Sequence, residues 1–304
     1  MKPDWLYRGE LGAANFGDFI ERVKPLIGRE SGGAILGVGV LFFEAPLPLV
    51  LVDVAQEPEY AEIVRPPLIP VSGLRGEIEA LITSLEPPPD TTAMIVSPPE
   101  PVGGPPNLSW QAGVVIESRT RGTLGPCVMT SAGEIYLTAG HVAGPPSSPV
   151  HLVETRFLLP DQRKPLGSIL MRSVPVAGGP AEYDVASIAV DLESRSGPCE
   201  VARVEPFQHT PLPVTLTGAI SGRGFGEVIG ALDTYTDAVG ERRWKNSWIM
   251  TPGAIGAEGD SGGSVTLNDD SVLGILVHGT KVANVGRFGS LFVQDLESIE
   301  IELL

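Results

Sequence analysis

Three residue types that together can cleave an acyl bond occur in order along the chain. A histidine closes the run "IYLTAGHV", an aspartate opens "DVASIAV", and a serine lies within "EGDSGGS"; these are His141, Asp184 and Ser261. An imidazole can take the proton of a serine hydroxyl when a carboxylate fixes the tautomer of the ring. The pattern therefore predicts nucleophilic catalysis by Ser261, with His141 as the general base and Asp184 as the acid that orients it.

The blocks "LTAGHV", "DVASI" and "GDSGGS", in this order, resemble the signature blocks of the chymotrypsin-like (trypsin-like) serine proteases. The resemblance covers residues ~108–304 and is to the bacterial branch of α-lytic protease and the streptogrisins. It implies a mainly β fold, with two antiparallel six-stranded β-barrels, a C-terminal helix and the active site between the barrels. It also implies a serine endopeptidase that works through an acyl-enzyme.

The resemblance assigns further roles around the serine. The backbone N–H groups of Gly259 and Ser261 would form the oxyanion hole. Asp260 would support this loop, and a buried carboxylate needs a partner. The segment "ISGRGFGEVIG" is similar in spacing to one whose arginine holds this aspartate in the bacterial branch, which predicts Arg223 as the partner. The alternative partner is an amino terminus freed by cleavage before a segment such as "GVVIES", at Gly113 to Val115.

A substrate pocket is implied next to these residues. By resemblance, Ile255 lies at its base, Glu258 at its rim, and Gly279 and Gly289 on its walls. An aliphatic base favours apolar or small residues before the scissile bond. Two alternatives stay open: His278 would bind an acidic side chain, or Glu258 would attract lysine or arginine.

The chain also departs from the family. Val277 and His278 stand where the family often carries a serine that supports the aspartate and an aromatic neighbour, so the support of Asp184 is open. The disulfide beside the catalytic histidine is predicted to be absent, since Val142 replaces one of its cysteines and only Cys127 lies near the other position. Few cysteines and no secretory signal favour a bacterial cytoplasm.

The amino-acid composition changes at residues 87–106, and the elements that must position the candidate site residues lie after this change. Residues 87–106 contain eight prolines, which predicts a semi-rigid linker at 87–107. After it, short β-type runs alternate with glycine and proline turns, as in a barrel architecture. We expect an α+β domain at 1–86 and a protease domain at 108–304, with barrels at ~108–200 and ~205–292 and a helix at ~293–303.

The first hundred residues contain no histidine or cysteine and no catalytic pattern. Phe16, Phe19, Ile20 and Val23 fall on one helical face, which Pro25 should end. The apolar stretch "AILGVGVLFFEAPLPLVLVDVA" is interrupted by Glu44 and prolines, which predicts two strands joined by a turn rather than a membrane span. We expect an adaptor that binds a regulatory protein or recruits substrate; the alternative is a folding aid removed after synthesis.

The net charge and the Cys/His content of the chain argue against several classes of function. The net charge of −16 opposes binding to nucleic acid and to anionic membranes. No Cys/His cluster has ligand spacing, so neither a metal nor an organic cofactor is expected. The partner is a protein or peptide substrate. Two alternatives to an active endopeptidase remain open: a catalytically silent pseudoprotease that serves as a binding scaffold, and a dormant protease activated by a partner or by cleavage.

Overall fold

The structure, a computed structural model, describes the following residues: 14–42, 47–60, 66–101, 114–131, 133–156, 159–190, 198–204, 211–237, 240–252, 256–281 and 288–303. Within these ranges, the chain forms a seven-stranded sheet, an eleven-stranded sheet and three α-helices. Strands dominate, as the short β-type runs of the sequence predict.

The seven-stranded sheet carries the histidine and the aspartate. Its strands are β6 (Val115–Glu117), β7 (Arg121–Thr123), β8 (Cys127–Thr130), β9 (Gly133–Thr138), β10 (Pro149–Arg156), β11 (Leu159–Ser173) and β12 (Val185–Val190). They pair in the order β7-β6-β10-β11-β12-β9-β8, and all the pairings are antiparallel. The described part has seven strands rather than the predicted six, because the chain folds back as the short strand β7 after β6.

A closed barrel carries the serine. It consists of β13 (Leu212–Gly218), β14 (Gly222–Thr236), β15 (Arg243–Pro252), β16 (Ser264–Thr266), β17 (Val272–Lys281) and β18 (Phe288–Asp295). The order β13-β16-β17-β18-β15-β14 returns to β13, because β13 and β14 also pair. Helix α3 (Leu296–Leu303) follows, as predicted for the C-terminus.

The N-terminal region is α+β, as predicted. Strands β1 (Ile35–Leu41) and β2 (Leu47–Asp53) form an antiparallel pair from the apolar stretch, so this stretch is not a membrane helix. The remaining elements are α1 (Ala14–Val23), β3 (Leu68–Pro70), α2 (Gly76–Ser84), β4 (Thr92–Val96), β5 (Glu100–Pro101), and short 3-10 helices at Lys24–Leu26, Arg29–Ser31, Val54–Gln56, Pro58–Tyr60 and Val71–Gly73. Helix α1 ends two residues before Pro25.

The N-terminal sheet continues into the barrel. Strand β1 pairs antiparallel with β14 from Gly37 opposite Tyr235 to Leu41 opposite Gly230, and the order β14-β1-β2-β4-β3 completes the eleven-stranded sheet. The backbones approach closely: a Cβ at Gly39 would lie 2.0 Å from the carbonyl oxygen of Ala231. The two regions therefore share one hydrogen-bonded ladder.

The predicted linker at 87–107 carries strands in its described part. Strand β4 pairs in parallel with β2 and antiparallel with β3, and β5 pairs with β17 of the barrel. Proline density predicted a spacer, but the prolines flank β4 and leave its own N–H groups free to pair. The domain boundaries themselves stay a prediction.

The hydrophobic core crosses from the N-terminal region into the barrel. One buried cluster joins Phe19 and Ile20 of α1 and Val38 of β1 with Val228 and Trp248 of β14 and β15. These side chains are almost completely inaccessible to solvent. Burial of apolar area on this scale stabilises a fold strongly, so the N-terminal region and the barrel should be stable only together.

Candidate active site

The structure brings His141, Asp184 and Ser261 together, although each comes from a different connecting segment. His141 lies in the turn after β9, Asp184 directly precedes β12, and Ser261 lies in the turn before β16. The Nε2 atom of His141 is 2.9 Å from Oγ of Ser261, and its Nδ1 atom is 2.7 Å from Oδ2 of Asp184. The three groups thus form a continuous hydrogen-bonded chain between the seven-stranded sheet and the barrel.

Asp184 is completely buried and held from two sides. Its Oδ1 atom accepts a hydrogen bond of 2.8 Å from the backbone N–H of His141. Burial acts to raise the pKa of Asp184, but the charge and hydrogen bonds of His141, helped by His278, outweigh it and keep the pKa below its ordinary value. Asp184 is therefore ionised at neutral pH and fixes the proton of His141 on Nδ1.

The backbone at Asp184 is fixed by Gln294, which the sequence did not single out. The backbone N–H of Asp184 donates to Oε1 of Gln294 at 3.0 Å. Nε2 of Gln294 donates to the carbonyl oxygens of Lys245 and Asn246 at 2.9 and 2.8 Å. The sequence indicates Gln294 only in that this uncharged polar residue directly follows the apolar run "SLFV".

Thr123 of β7 ties the serine loop to the seven-stranded sheet. Its backbone N–H donates to the carbonyl oxygen of Ser261 at 2.7 Å, and its hydroxyl donates to that of Gly259 at 3.0 Å. The same hydroxyl accepts from the backbone N–H of Ala219 at 2.9 Å. This role could not be predicted from the sequence, because it depends on a contact across 136 residues.

The predicted oxyanion donors lie on a turn that requires glycine. Gly259 has a φ of 102°, in a region that other residues rarely adopt. Its N–H and that of Ser261 donate no hydrogen bond to any described residue. Both N–H groups are therefore available to an acceptor in the site.

The predicted pair between Arg223 and Asp260 is not formed. The carboxylate of Asp260 is completely buried and accepts from the backbone N–H groups of Ile220, Ser221 and Ala257 at 2.8, 3.0 and 2.9 Å, and from the hydroxyl of Ser221. These donors satisfy it without a cation. The guanidinium of Arg223 instead is exposed and lies 6.0 Å from the ring centre of Phe225.

The segment proposed as the alternative partner of Asp260 has a different place. Val115 begins β6, which pairs with β7 and β10 in the seven-stranded sheet. Val114 is exposed, and Gly113 lies outside the described residues. Among the described residues, Asp260 is thus supported by Ile220, Ser221 and Ala257.

His278, which was predicted to line a substrate pocket, lies in the interior of the protein beside Asp184 and His141. Its side chain is completely buried, and its ring centre lies 4.4 Å from that of Trp244 and 5.7 Å from that of His141. Its Nε2 atom is 3.6 Å from Oδ2 of Asp184. The strand β17 is irregular between Leu276 and His278, which turns the ring toward the triad.

The other predicted pocket residues are only partly described. Ile255 lies outside the described residues. Glu258 is about half exposed, with Oε1 3.2 Å from Nζ of Lys281. Gly279 and Gly289 lie on the adjacent strands β17 and β18, and a Cβ at Gly279 would lie 2.3 Å from the ring of Phe288. The aromatic ring of Phe288 therefore lies against Gly279.

The edge of β17 next to the serine is occupied by the chain itself. Strand β16 pairs with β17 only as far as Ile275. Beyond it, β5 pairs antiparallel with β17, with Pro101 opposite His278 and Glu100 opposite Gly279. Nζ of Lys281 lies 2.7 Å from the carboxylate of Glu100 and so ties β5 to β17 a second time.

The cluster of His141, Asp184 and His278 also has the donor types of a metal site, since their ligand atoms lie within 4.8 Å of one another. However, Oδ2 of Asp184 already accepts from Nδ1 of His141. A metal would displace this hydrogen bond, so the geometry fits a triad better than a metal centre. Of the two cysteines, Cys127 is buried and Cys199 is exposed, and the absence of the disulfide beside His141 stays a prediction.

A closed six-stranded barrel, a second antiparallel sheet and a His-Asp-Ser set between them define the chymotrypsin-like fold class. No family model matches the sequence, and no curated protein matches it either.

Among solved structures, the chain is similar to a Nocardiopsis protease, with 17% identity over 62% of this chain and 93% of that protein, and a TM-score of 0.43. It is also similar to a glutamic acid-specific serine protease, with 18% identity, 63% and 96% coverage and a TM-score of 0.46. A third similarity is to Thermobifida fusca protease A, with 18% identity, 63% and 94% coverage and a TM-score of 0.40. In the described part of this chain, no helix has the length and apolar character needed to cross a membrane.

Proposed function

We propose that the protein is a serine endopeptidase that uses His141, Asp184 and Ser261 and passes through an acyl-enzyme. The hydrogen-bonded chain from Asp184 through His141 to Ser261 carries this proposal. Ser261 attacks the peptide carbonyl carbon while its proton moves to Nε2 of His141, and the N–H groups of Gly259 and Ser261 stabilise the oxyanion. His141 then gives the proton to the leaving amine as the C–N bond breaks.

The acyl-enzyme is hydrolysed by the same groups. A water molecule gives a proton to Nε2 of His141 and attacks the ester carbon, and the proton returns to Oγ of Ser261 as the C–O bond breaks. Asp184 stays ionised throughout and stabilises the imidazolium that forms in each half-reaction. No step needs a group that the described residues lack.

Labelling with a fluorophosphonate probe tests this proposal. We expect covalent modification of the full chain at Ser261, and its loss in Ser261→Ala. Ser264→Ala is the matched control, because Ser264 lies in the same motif but on β16. Unlabelled wild-type protein that nevertheless binds peptides would contradict the proposal and favour a binding scaffold.

The pairing of β5 with β17 favours a second candidate, a protease of the same chemistry that its own chain keeps dormant. A free strand edge beside a nucleophile is where an extended peptide can add as a further strand. Glu100 and Pro101 cover the edge of β17 at His278 and Gly279. This arrangement would let a partner or a cleavage activate the enzyme by removing β5, and it would give the N-terminal region a regulatory role.

Glu100→Lys tests the dormant state, because it places a cation next to Lys281. We expect about a ten-fold faster turnover of an unfolded protein substrate, while labelling by the small fluorophosphonate stays unchanged because it needs no strand edge. Glu77→Lys, an exposed change in α2, is the control. Equal turnover by Glu100→Lys and wild type would contradict the dormant state.

A further inference from the structure

Two histidines approach the same oxygen of Asp184. Nδ1 of His141 lies 2.7 Å from Oδ2, and Nε2 of His278 lies 3.6 Å from it. Nε2 of His278 is buried and has no hydrogen-bond partner in the described part of the chain. A buried polar atom without a partner is unfavourable unless it acts on a nearby charge.

The protonation state of His278 follows from its surroundings. Burial, opposed in part by the charge of Asp184, lowers the pKa of His278 to about 3, so the ring is neutral at neutral pH. Its second nitrogen, Nδ1, lies 2.9 Å from the hydroxyl oxygen of Tyr235. Burial raises the pKa of Tyr235 well above its ordinary value, so the phenol keeps its proton and can donate it.

The direction of this hydrogen bond decides what His278 presents to Asp184. If Tyr235 donates to Nδ1, the ring proton is on Nε2 and its positive end faces the carboxylate. In the opposite tautomer, the Nε2 lone pair would face the negative charge of Asp184, which is unfavourable in a buried site. Within the part of the chain that the structure describes, the titratable groups next to the ring are Asp184, His141 and Tyr235, and the charge of Asp184 is the one that the ring faces when His141 is neutral.

We propose that Tyr235 and His278 are positioning residues of the triad, in which Tyr235 fixes the tautomer of His278 and the Nε2–H dipole of His278 holds the carboxylate of Asp184. This inference rests on the proposed serine hydrolysis. At 3.6 Å, the N–H acts mainly through its dipole, which complements the two hydrogen bonds from His141. Tyr235 and His278 thus provide the support for Asp184. The sequence had left this support unassigned, because Val277 and His278 stand where a serine and an aromatic residue were expected.

Nitrogen-15 NMR of the histidine-labelled full chain tests the tautomer without reference to activity. We expect His278 to be neutral with its proton on Nε2 at neutral pH. A proton on Nδ1 would overturn the proposal. So would stoichiometric zinc binding by the wild type that is lost in His278→Gln, because the cluster would then be a metal site.

Tyr235→Phe tests the effect on the triad. We expect the rate constant of fluorophosphonate labelling to fall about ten-fold and the ordered Nε2–H signal of His278 to be lost. Tyr183→Phe is the matched control, since it also removes a buried phenol hydroxyl, one that is 3.3 Å from the carbonyl oxygen of Ser298. Its labelling should stay within about two-fold of wild type.

Two substitutions of His278 separate positioning from packing. Glutamine keeps a donor and leucine does not, so His278→Gln should label faster than His278→Leu when both are equally stable to urea. Equal rates in these variants, or a wild-type rate in Tyr235→Phe, would overturn the positioning role. Wild-type protein that is not labelled at all would contradict the proposed function instead, and the NMR tautomer would still decide the inference.

Discussion

Thr123 connects the seven-stranded sheet to the turn that carries Ser261. Its N–H and hydroxyl bond to the carbonyl oxygens of Ser261 and Gly259, and its own carbonyl oxygen accepts from the hydroxyl of Thr138 at 2.9 Å. The side chain is nearly completely buried. Thr123 therefore holds the turn of Ser261 against the seven-stranded sheet.

Replacing Thr123 by valine should displace the turn that carries Ser261. The carbonyl of Gly259 and the N–H of Ala219 would lose their partner, which should lower the free energy of unfolding by about 1–3 kcal/mol and slow fluorophosphonate labelling at least about ten-fold. Thr236→Val is the control, because this buried hydroxyl also bonds to one carbonyl, that of Arg242. Similar labelling rates in the two variants would contradict the role of Thr123.

At the scale of elements, three neighbouring residues of β17 make three different contacts. The carbonyl oxygen of Val277 lies 3.3 Å from Oγ of Ser261, His278 points to Asp184, and the edge at His278 and Gly279 pairs with β5. The irregularity between Leu276 and His278 permits this arrangement, because it changes which face each side chain occupies.

The buried histidine of β17 should make stability depend on pH. The pKa of His278 is about 3 in the folded state against an ordinary 6.5, so between these values the unfolded chain binds a proton that the folded chain does not. The free energy of unfolding should therefore fall as the pH is lowered from 6.5 toward 3, by up to about 1.4 kcal/mol per pH unit.

Urea unfolding of wild type and His278→Gln at a series of pH values measures this contribution, because glutamine does not titrate. The difference between the two curves should be constant above pH 6.5 and change steadily below it. Parallel curves over the whole range would show that His278 does not keep the low pKa.

The residues of the proposed triad could be found from the sequence, whereas the residues that hold them in place could not. His141, Asp184 and Ser261 each lie in a short motif, and such a motif can be recognised directly in the sequence. Thr123 and Gln294 act only through contacts between distant segments. The expected pair of Arg223 and Asp260 failed because Ser221 and backbone N–H groups already satisfy the carboxylate, which spacing alone does not reveal.

At the scale of the molecule, one sheet joins the N-terminal region to the barrel. The sequence predicted the α+β character of this region and its strand pair, but it did not predict the ladder between β1 and β14. Partner choice between strands depends on the whole fold, and β1 and β14 are separated by almost two hundred residues.

A valine at Gly39 should break this ladder. Its Cβ would lie 2.0 Å from the carbonyl oxygen of Ala231, so β1 must move away from β14. We expect the free energy of unfolding to fall by about 3 kcal/mol or more. In both variant and wild type, urea should abolish the circular dichroism of the sheets and the fluorophosphonate labelling at one midpoint.

Gly73→Val is the control for this change, because a Cβ at Gly73 meets no atom within 4 Å. It should unfold at the wild-type midpoint. Loss of the N-terminal structure at lower urea, with labelling of the barrel unaffected, would show that the two regions are independent.

The ladder between β1 and β14 has a consequence for any trimming of the chain. Removing the N-terminal region would strip β14 of its neighbour from Gly230 to Tyr235 and uncover the apolar side chains that face α1 and β1. A bare strand edge beside an apolar surface invites pairing between molecules and aggregation. The segment that covers β14 therefore protects the barrel from pairing with other molecules, and a barrel released from this segment would stay in solution only if another strand took its place.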